Sequence, residues 1–349
     1  MRIGSREIGP GHEVYVIAEI GVNHDGSVAR ALEMVDAAAG AGADAIKLQC
    51  FDADLLMSRA SRLAAYQADA GELDPREMLR RLQLPIADLR RIAERAHERG
   101  VHAIVTVFSL DLVDAAAKLP WDAFKTASPD IVHRPLLEAL AETGLPMIVS
   151  TGAATLEEVE RAAGWLNRPN LAFLQCVSSY PTPPELACLG GIGALADALD
   201  TTIGYSDHTP EVDTGALAVA CGATILEKHF THDRTAKGPD HAASLDAAQF
   251  ASYVRLAKAG HMRASADDPR IGPRQKRVLE IEQDVRRVSR QSIVLRRDML
   301  RGEVLRSQDL TFKRPGTGIA PWQLAEVLGR RLRCDMPADM PLTMEALEA

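Results

Sequence analysis

Eight short runs of apolar and β-branched residues recur through the first three quarters of the chain, and this recurrence restricts its fold more than any other feature. The runs span residues 14–20, 44–49, 102–108, 122–128, 146–151, 171–176, 201–206 and 224–229. Between them apolar residues return every three or four positions, as in helices, for example at 28–42, 87–100 and 155–166. Eight strand–helix units predict an α/β fold, a (β/α)8 TIM barrel, because an open doubly wound sheet usually has fewer strands.

The last quarter of the chain has a different character. Residues 264–290 are rich in charge and begin with Pro and Gly, which predicts a linker with one helical piece. Residues 291–349 combine short alternating segments, turn glycines and one brief helical stretch, so they bury only a small core. We therefore predict a barrel domain at 1–263, a linker at 264–290 and a small β-rich domain at 291–349 that docks on something larger.

Charge, cysteine content and hydropathy restrict the partners and the compartment. The chain has 48 acidic against 40 basic side chains, so its overall field gives no reason to expect a nucleic acid partner. Its five cysteines are odd in number and widely spaced, which is typical of reduced cytosolic thiols. No secretory signal is visible and no window reaches the roughly 18 apolar residues of a membrane span. We expect a cytoplasmic protein with no membrane partner.

Polar residues stand at the ends of nearly all the predicted strands, where the active site of a TIM barrel lies. Two of them are lysines, Lys47 and Lys125, although lysine is depleted in strands and is almost never buried alone. The hydroxyl residues near them predict a cradle for phosphate and carboxylate groups; they are Thr106, Ser128, Ser150 and Ser206. The alternative is an ion pair inside the barrel with Glu19 or Glu227.

Two histidines, His208 and His229, follow the seventh and eighth predicted strands, so we expect them to be neighbours. Two imidazoles with a nearby carboxylate can bind a divalent metal and leave positions open for water and substrate, as a Lewis acid needs. The alternative is that each is an ordinary hydrogen-bonded histidine.

Together these segments resemble the sialic acid synthase family, which includes N-acetylneuraminate, legionaminate and pseudaminate synthases. The resemblance covers nearly the whole chain and is carried by IAEIGVNHDGS (17–27), GADAIKLQCFDADLL (42–56), SSYPTP (178–183), IGYSDHT (203–209), LEKHFT (226–231), GPDHAAS (238–244) and KRPGTGIAP (313–321). It implies a barrel followed by an antifreeze-like SAF domain of the β-clip type, in a domain-swapped homodimer. It also implies a divalent metal, with Mn²⁺ favoured and Mg²⁺ or Co²⁺ as alternatives.

The resemblance also implies a reaction and a role for each site residue. Phosphoenolpyruvate condenses with an N-acyl amino sugar of the N-acetylmannosamine type, giving a nonulosonic (sialic) acid and phosphate. Glu19, Lys47 and Lys125 match catalytic positions, His208 and His229 match metal ligands, and Thr106, Ser128, Ser150 and Ser206 match positions that hold phosphoenolpyruvate. Gln49, Tyr180 and Asp240 match the sugar side, and Arg314 matches an arginine that reaches in from the other subunit.

The chain departs from the family pattern at three positions. Val107 replaces a proline, Pro129 replaces a glycine, and Ser178 stands where some relatives have a substrate-binding asparagine. Pro129 has no backbone N–H, so we expect no phosphate contact from that amide and a shifted Asp130. These departures leave other functions open: a legionaminate- or pseudaminate-type synthase using a 2,4-diacetamido-6-deoxy hexose, an aldolase making a shorter keto-deoxy sugar acid, or an inactive sugar-binding relative.

Overall fold

A closed barrel of eight parallel strands forms the centre of the protein in a computed structural model that describes residues 1–265 and 267–348. A short antiparallel hairpin, β1 (Arg2–Ile3) and β2 (Arg6–Glu7), precedes it. The barrel strands are β3 (Tyr15–Glu19), β4 (Ala45–Cys50), β5 (His102–Val107), β6 (Ala123–Thr126), β7 (Met147–Ser150), β8 (Leu171–Cys176), β9 (Thr202–Asp207) and β10 (Ile225–His229). They pair in chain order and β10 closes on β3, so the TIM barrel and its eight predicted strands are confirmed.

Helices surround the barrel and connect its strands. The helices are α1 (Val28–Gly40), α2 (Ala53–Leu56), α3 (Ala65–Asp69), α4 (Pro75–Leu82), α5 (Ile86–Glu98), α6 (Val113–Ala116), α7 (Arg134–Glu142), α8 (Leu156–Trp165), α9 (Gly190–Ala198), α10 (Thr214–Ala220) and α11 (Ala247–Ala259). Their starts have local causes: Thr155 and Glu158 form a capping box at α8, and the Ser27 side chain caps α1. The three helices predicted from periodicity, α1, α5 and α8, are confirmed.

The barrel interior has two layers of different chemistry. The lower layer is an apolar plug that includes Ile17, Ala45, Ile104, Ala123, Ile148, Leu174 and Ile225. Inward-facing side chains recur every second residue of a strand, so the next layer toward the carboxyl ends lies two residues further along. That layer is polar and consists of Glu19, Lys47, Thr106, Lys125, Ser150, Cys176 and Glu227. The same alternation that packs the plug therefore aims these side chains into the open end of the barrel.

The tail has its own small core. After the linker helix α12 (Gln283–Ser289), strands β11 (Ser292–Leu295) and β12 (Leu310–Lys313) pair antiparallel, and one short helix, α13 (Leu324–Val327), follows. Ile293, Leu295, Leu305 and Val327 belong to a hydrophobic cluster separate from that of the barrel. Among the residues described, no helix combines the length and the apolar character needed to cross a membrane.

Candidate active site

One cavity at the carboxyl end of the barrel contains every site residue expected from the sequence. The thirteen expected residues that line it are Glu19, Lys47, Gln49, Thr106, Lys125, Ser128, Ser150, Tyr180, Ser206, His208, His229, Asp240 and Arg314. They come from all eight strand ends or the loops that follow them, and from the tail.

The floor of the cavity is a buried network of two lysines and two glutamates. Lys47 Nζ lies 2.6 Å from Glu19 Oε2 and 3.6 Å from Glu227 Oε2, and Lys125 Nζ lies 3.7 Å from Glu227 Oε1. All four side chains are almost fully buried. The ion pairs that the sequence left as an alternative are therefore present. Even in these ion pairs, both lysines line the cavity floor, so an anion could still bind there.

Burial and the neighbouring charges shift the pKa values of this network in different directions. Burial opposes the charge of Glu227, but Lys125 and Lys47 hold the pKa of that carboxyl down to about 2. Burial raises the pKa of Glu19, and the charge of Glu227 adds to this, against the opposing effect of Lys47. Glu227 is thus the fixed anion of the pair, whereas Glu19 takes up a proton more readily than Glu227 does.

Hydroxyl groups surround the two lysines. Lys47 Nζ donates to Thr106 Oγ1 at 3.2 Å, and Lys125 Nζ donates to Ser150 Oγ at 2.5 Å. Ser206 donates to Glu227 Oε1 at 2.8 Å, while Ser128 Oγ accepts the N–H of Gly152 at 2.9 Å. Ammonium and hydroxyl donors around one space form an arrangement that can bind phosphate and carboxylate oxygens.

The two histidines face the same cavity, and their ring centroids lie 5.4 Å apart. His208 Nδ1 lies 2.7 Å from the carbonyl oxygen of Val177, so its Nε2 is the nitrogen left for a ligand. Burial and the charge of His208 hold the pKa of His229 well below its usual value, which favours the neutral imidazole that metals bind. Across the described residues, His, Cys, Asp and Glu side chains form no cluster of three that could hold a metal. The two imidazole nitrogens alone would fit a divalent metal only together with oxygen ligands from water or substrate.

The residues expected on the sugar side lie beside the histidines. The Tyr180 ring packs between His208 and Tyr66, with centroid distances of 4.2 Å and 4.9 Å. Burial raises the pKa of Asp240 to about 7, and the charge of Glu19 contributes in the same direction. Gln49 Nε2 donates to Glu19 Oε1 at 2.9 Å, so this amide also orients the carboxyl.

Tyr66 and Gln67 are among the lining residues that the sequence did not identify. They lie on α3, a helix of five residues with no buried face, and its local sequence gives no periodic signal that would identify it. The only available clue was position, because α3 belongs to the loop between β4 and α5, and such loops form the rim of a barrel site.

The loops above the strand ends contribute an apolar wall to the cavity. Its side chains form one buried cluster and come from the loops after β3, β4 and β5 and from α4. Those that line the cavity are Val22, Phe51, Leu56, Met78, Leu79, Leu82 and Phe108. Apolar groups of a bound molecule would be stabilised against this wall.

Arg314 lines the cavity from the tail, directly after β12. Its backbone N–H donates to Leu56 O at 2.9 Å, and its backbone carbonyl oxygen accepts from Ser58 Oγ at 2.6 Å. Its guanidinium carbon lies 5.7 Å from the centroid of the Phe108 ring. Arg286 and Arg290 of the linker both form ion pairs with Glu158 of α8.

The three departures from the family pattern have local explanations. Val107 ends β5 and packs into the core outside the barrel. Pro129 lies in the first turn of a 3₁₀ helix, where a backbone N–H would have no acceptor within the helix, so proline is tolerated. Asp130 Oδ1 accepts a hydrogen bond from Gln291 Nε2 at 3.1 Å. Ser178 is buried and, within the described residues, is not part of the cavity lining.

Similarity to known proteins extends over both parts of the chain. Residues 34–265 match the NeuB family and residues 290–348 match the SAF domain. The N,N'-diacetyllegionaminic acid synthase of Legionella pneumophila is 35% identical, over 99% of this chain and 98% of that protein. The N-acetylneuraminate-9-phosphate synthase of Mus musculus is 30% identical, over 99% and 95%. The crystal structure of spore coat polysaccharide biosynthesis protein SpsE from Bacillus subtilis superimposes with a TM-score of 0.85 and 28% identity, over 100% of this chain and 99% of that one.

Proposed function

Because the chain belongs to the NeuB family, we propose that it condenses phosphoenolpyruvate with an open-chain N-acyl amino sugar to form a nonulosonic acid of the sialic type, with release of phosphate. One observation carries the proposal. Lys47 and Lys125 present two buried ammonium groups to one cavity, each bonded to a hydroxyl and opposite the carboxyl of Glu19. An anionic three-carbon substrate would replace part of the hydration that these charges have lost.

The reaction needs a nucleophilic carbon, an electrophilic carbonyl and one water molecule. The C3 carbon of phosphoenolpyruvate attacks the aldehyde carbon of the sugar, forming the new C–C bond and leaving a cationic centre at C2. Water adds to C2 and its proton passes to Glu19, whose pKa is raised by burial, while the alkoxide formed from the aldehyde oxygen takes up a proton and becomes a hydroxyl. The C2–O bond to phosphate then breaks, giving the keto acid and inorganic phosphate, and Lys47 and Lys125 stabilise the departing anion.

We propose His208 and His229 as the ligands of a divalent metal, with manganese favoured. When bound there, the metal would polarise the aldehyde oxygen of the sugar. The protein's own contribution is orientation: Tyr180 packs against His208, and Asp240 Oδ2 lies 3.7 Å from His229 Nδ1. A sugar hydroxyl placed beside Asp240 would therefore lie close to both imidazoles.

A 2,4-diacetamido-6-deoxy hexose, which gives a legionaminate-type product, is the second candidate sugar, and the apolar wall favours it. Met78, Leu79 and Phe108 would accommodate two acetamido methyl groups and a 6-methyl group better than the additional hydroxyls of N-acetylmannosamine. The identity of 35% with the Legionella legionaminic acid synthase supports the same candidate.

We further propose that the enzyme acts in the cytoplasm as a homodimer. All five cysteines are free thiols, as expected in a reducing compartment. In a dimer, the tail of one subunit could make the same contacts with the barrel of the other subunit, because the two tails are identical. The family resemblance implies such an exchange.

The test is phosphate release from phosphoenolpyruvate with manganese, measured with N-acetylmannosamine, 2,4-diacetamido-6-deoxy hexoses, and unmodified pentoses and hexoses. We expect turnover with an N-acyl sugar and a nine-carbon keto acid by mass spectrometry. Lys125→Met should lower kcat/KM by at least about 100-fold, and exposed Lys118→Met should leave it unchanged. Reaction with unmodified sugars alone would contradict the substrate class, and no reaction with any sugar would favour the inactive relative.

A further inference from the structure

A buried carboxylate in the linker joins two loops of the candidate site. Glu282 is fully buried, and its Oε1 accepts the backbone N–H of Ala153 at 2.6 Å and that of Ser178 at 2.8 Å. Its Oε2 accepts the N–H of Leu279 at 2.8 Å. Among the described side chains none forms an ion pair with it within 4.0 Å, and its charge acts at longer range on the buried Lys276. Hydrogen bonds to a charged group contribute more than those to a neutral one.

The two amides belong to neighbouring loops at the carboxyl end of the barrel. Ala153 lies three residues after Ser150, and Ser178 lies two residues before Tyr180. Both loops follow adjacent paired strands, β7 and β8, so a single carboxylate can contact both. Between Ser150 and Ala153, the N–H of Gly152 donates to Ser128 Oγ, which extends the connection to a third cavity residue.

The linker also holds Ala153 in an unfavourable backbone conformation. Its φ is 51°, in the left-handed region that residues with a Cβ rarely adopt. The linker contacts both sides of this residue, because the carbonyl oxygen of Ala153 accepts from Arg290 Nη2 at 3.1 Å and from Arg286 Nη1 at 2.5 Å. Linker residues therefore stabilise a loop geometry that the loop would not adopt readily alone.

We propose that Glu282 is a positioning residue of the active site, which sets the loops of Ser150 and Tyr180 at the distance that binds phosphoenolpyruvate and sugar together. The inference rests on the proposed function, which assigns the two substrates to these loops. It follows that the linker is part of the site and does more than connect two domains. Removal of the carboxylate should weaken the use of both substrates, because both loops move.

The experiment compares four variants by steady-state phosphate release and thermal unfolding. Glu282→Ala and Glu282→Asp should lower kcat/KM for both substrates by about 10- to 100-fold, since a displacement near 1 Å at a site has effects of that order. Glu282→Gln keeps one oxygen that can accept from both Ala153 and Ser178, so it should recover to within about threefold of the wild type. Glu280→Ala, in the same turn but exposed, is the matched control and should change nothing.

Two results of the kinetic measurements would overturn the inference. The first is an unchanged kcat/KM in a Glu282→Asp or Glu282→Ala protein that is folded. The second is a fall in the kcat/KM of Glu282→Gln as large as that of Glu282→Ala, which would indicate a structural role. Hydrogen exchange of residues 150–154 and 177–180 in Glu282→Asp gives a second readout, expected to rise at least about tenfold; unchanged exchange would contradict the proposal. A wild-type enzyme that releases no phosphate is a failure of the proposed function, and the exchange measurement then still decides the inference.

Discussion

Asp207 Oδ2 and Lys228 Nζ form an ion pair at 3.2 Å on the outer face of the barrel, each one residue before a histidine of the candidate site. The two residues are register partners of β9 and β10, and both are fully buried. Asp207 Oδ1 also accepts the N–H and the hydroxyl of Thr209, whereas Lys228 Nζ donates to the Thr209 carbonyl. The backbone on both sides of His208 is therefore held by this pair.

Removal of one member of the pair should be strongly destabilising. Lys228→Met leaves the Asp207 carboxylate buried without its cation, and we expect a loss of about 3–5 kcal/mol in the free energy of unfolding. Urea denaturation measures this. Asp207→Asn combined with Lys228→Met should recover much of the loss, because no isolated charge remains. The control is Lys258→Met, whose partner Asp44 is partly exposed, and it should cost at most about 1 kcal/mol. Equal losses for the two lysines would contradict this account.

Gly21 is required by the close approach of the catalytic carboxyl. A Cβ at this position would lie 1.9 Å from Glu19 Oε1 and 2.4 Å from Gln49 Nε2. Gly21→Ala should therefore displace Glu19 and lower kcat by at least about tenfold. Gly164→Ala is the matched control, since nothing lies within 4 Å of its Cβ; inside α8 it should stabilise the protein by about 0.5–1 kcal/mol. Full activity of Gly21→Ala would show that the reaction does not need the Glu19 carboxyl in the position observed in the structure.

Loss of either histidine should remove the proposed metal site while the fold remains. His208→Ala and His229→Ala should each weaken Mn²⁺ binding by at least about 100-fold, because only one nitrogen ligand would be left. Electron paramagnetic resonance of free Mn²⁺ measures the affinity. Phosphate release by the two variants should fall in parallel with it. Wild-type enzyme treated with a chelator should lose phosphate release and regain it when manganese is added. His12→Ala, at an exposed histidine, is the control. Unchanged manganese affinity in both variants would exclude this pair as the ligands.

The attachment of the linker should depend on pH through Glu158. Burial disfavours its charge, but Arg290 and Arg286 outweigh burial and hold its pKa at about 2, below the ordinary 4.5. The folded state therefore favours the carboxylate, so its contribution is complete above about pH 4.5 and is lost as the pH falls toward 2. We expect Glu158→Gln to cost about 1–2 kcal/mol at pH 7 and nothing near pH 2, after allowance for solvent screening.

Denaturation curves at several pH values measure the difference between the two proteins. The neighbouring Glu157→Gln is the control, because Glu157 pairs with Arg161 at an exposed site and should matter by less than about 0.5 kcal/mol at any pH. A cost for Glu158→Gln that does not change with pH would mean that packing, not charge, holds α12 on α8.

The sequence was sufficient to predict the barrel and the composition of its cavity, because both follow from one alternation. Inward residues recur every second position, so a lysine two places after a plug residue, such as Lys125 after Ala123, must face the open end. The same reasoning could not find Tyr66 or Glu282, which belong to irregular segments whose position depends on tertiary contacts. Nor could it show how the linker attaches to α8, since that depends on the ion pairs of Arg286 and Arg290 with Glu158.

Mixing of inactive subunits would show which chain supplies Arg314. Arg314→Ala lacks the tail residue and Glu19→Ala lacks a barrel residue, so each alone should be inactive. If each tail closes over its own barrel, every site in a mixture has one defect and no activity should return. If tails are exchanged in a dimer, refolding the two together should make roughly one quarter of the sites intact. We expect recovery toward one quarter, as the proposed domain-swapped homodimer requires, and no rescue beyond the separate variants would show that each tail acts on its own barrel.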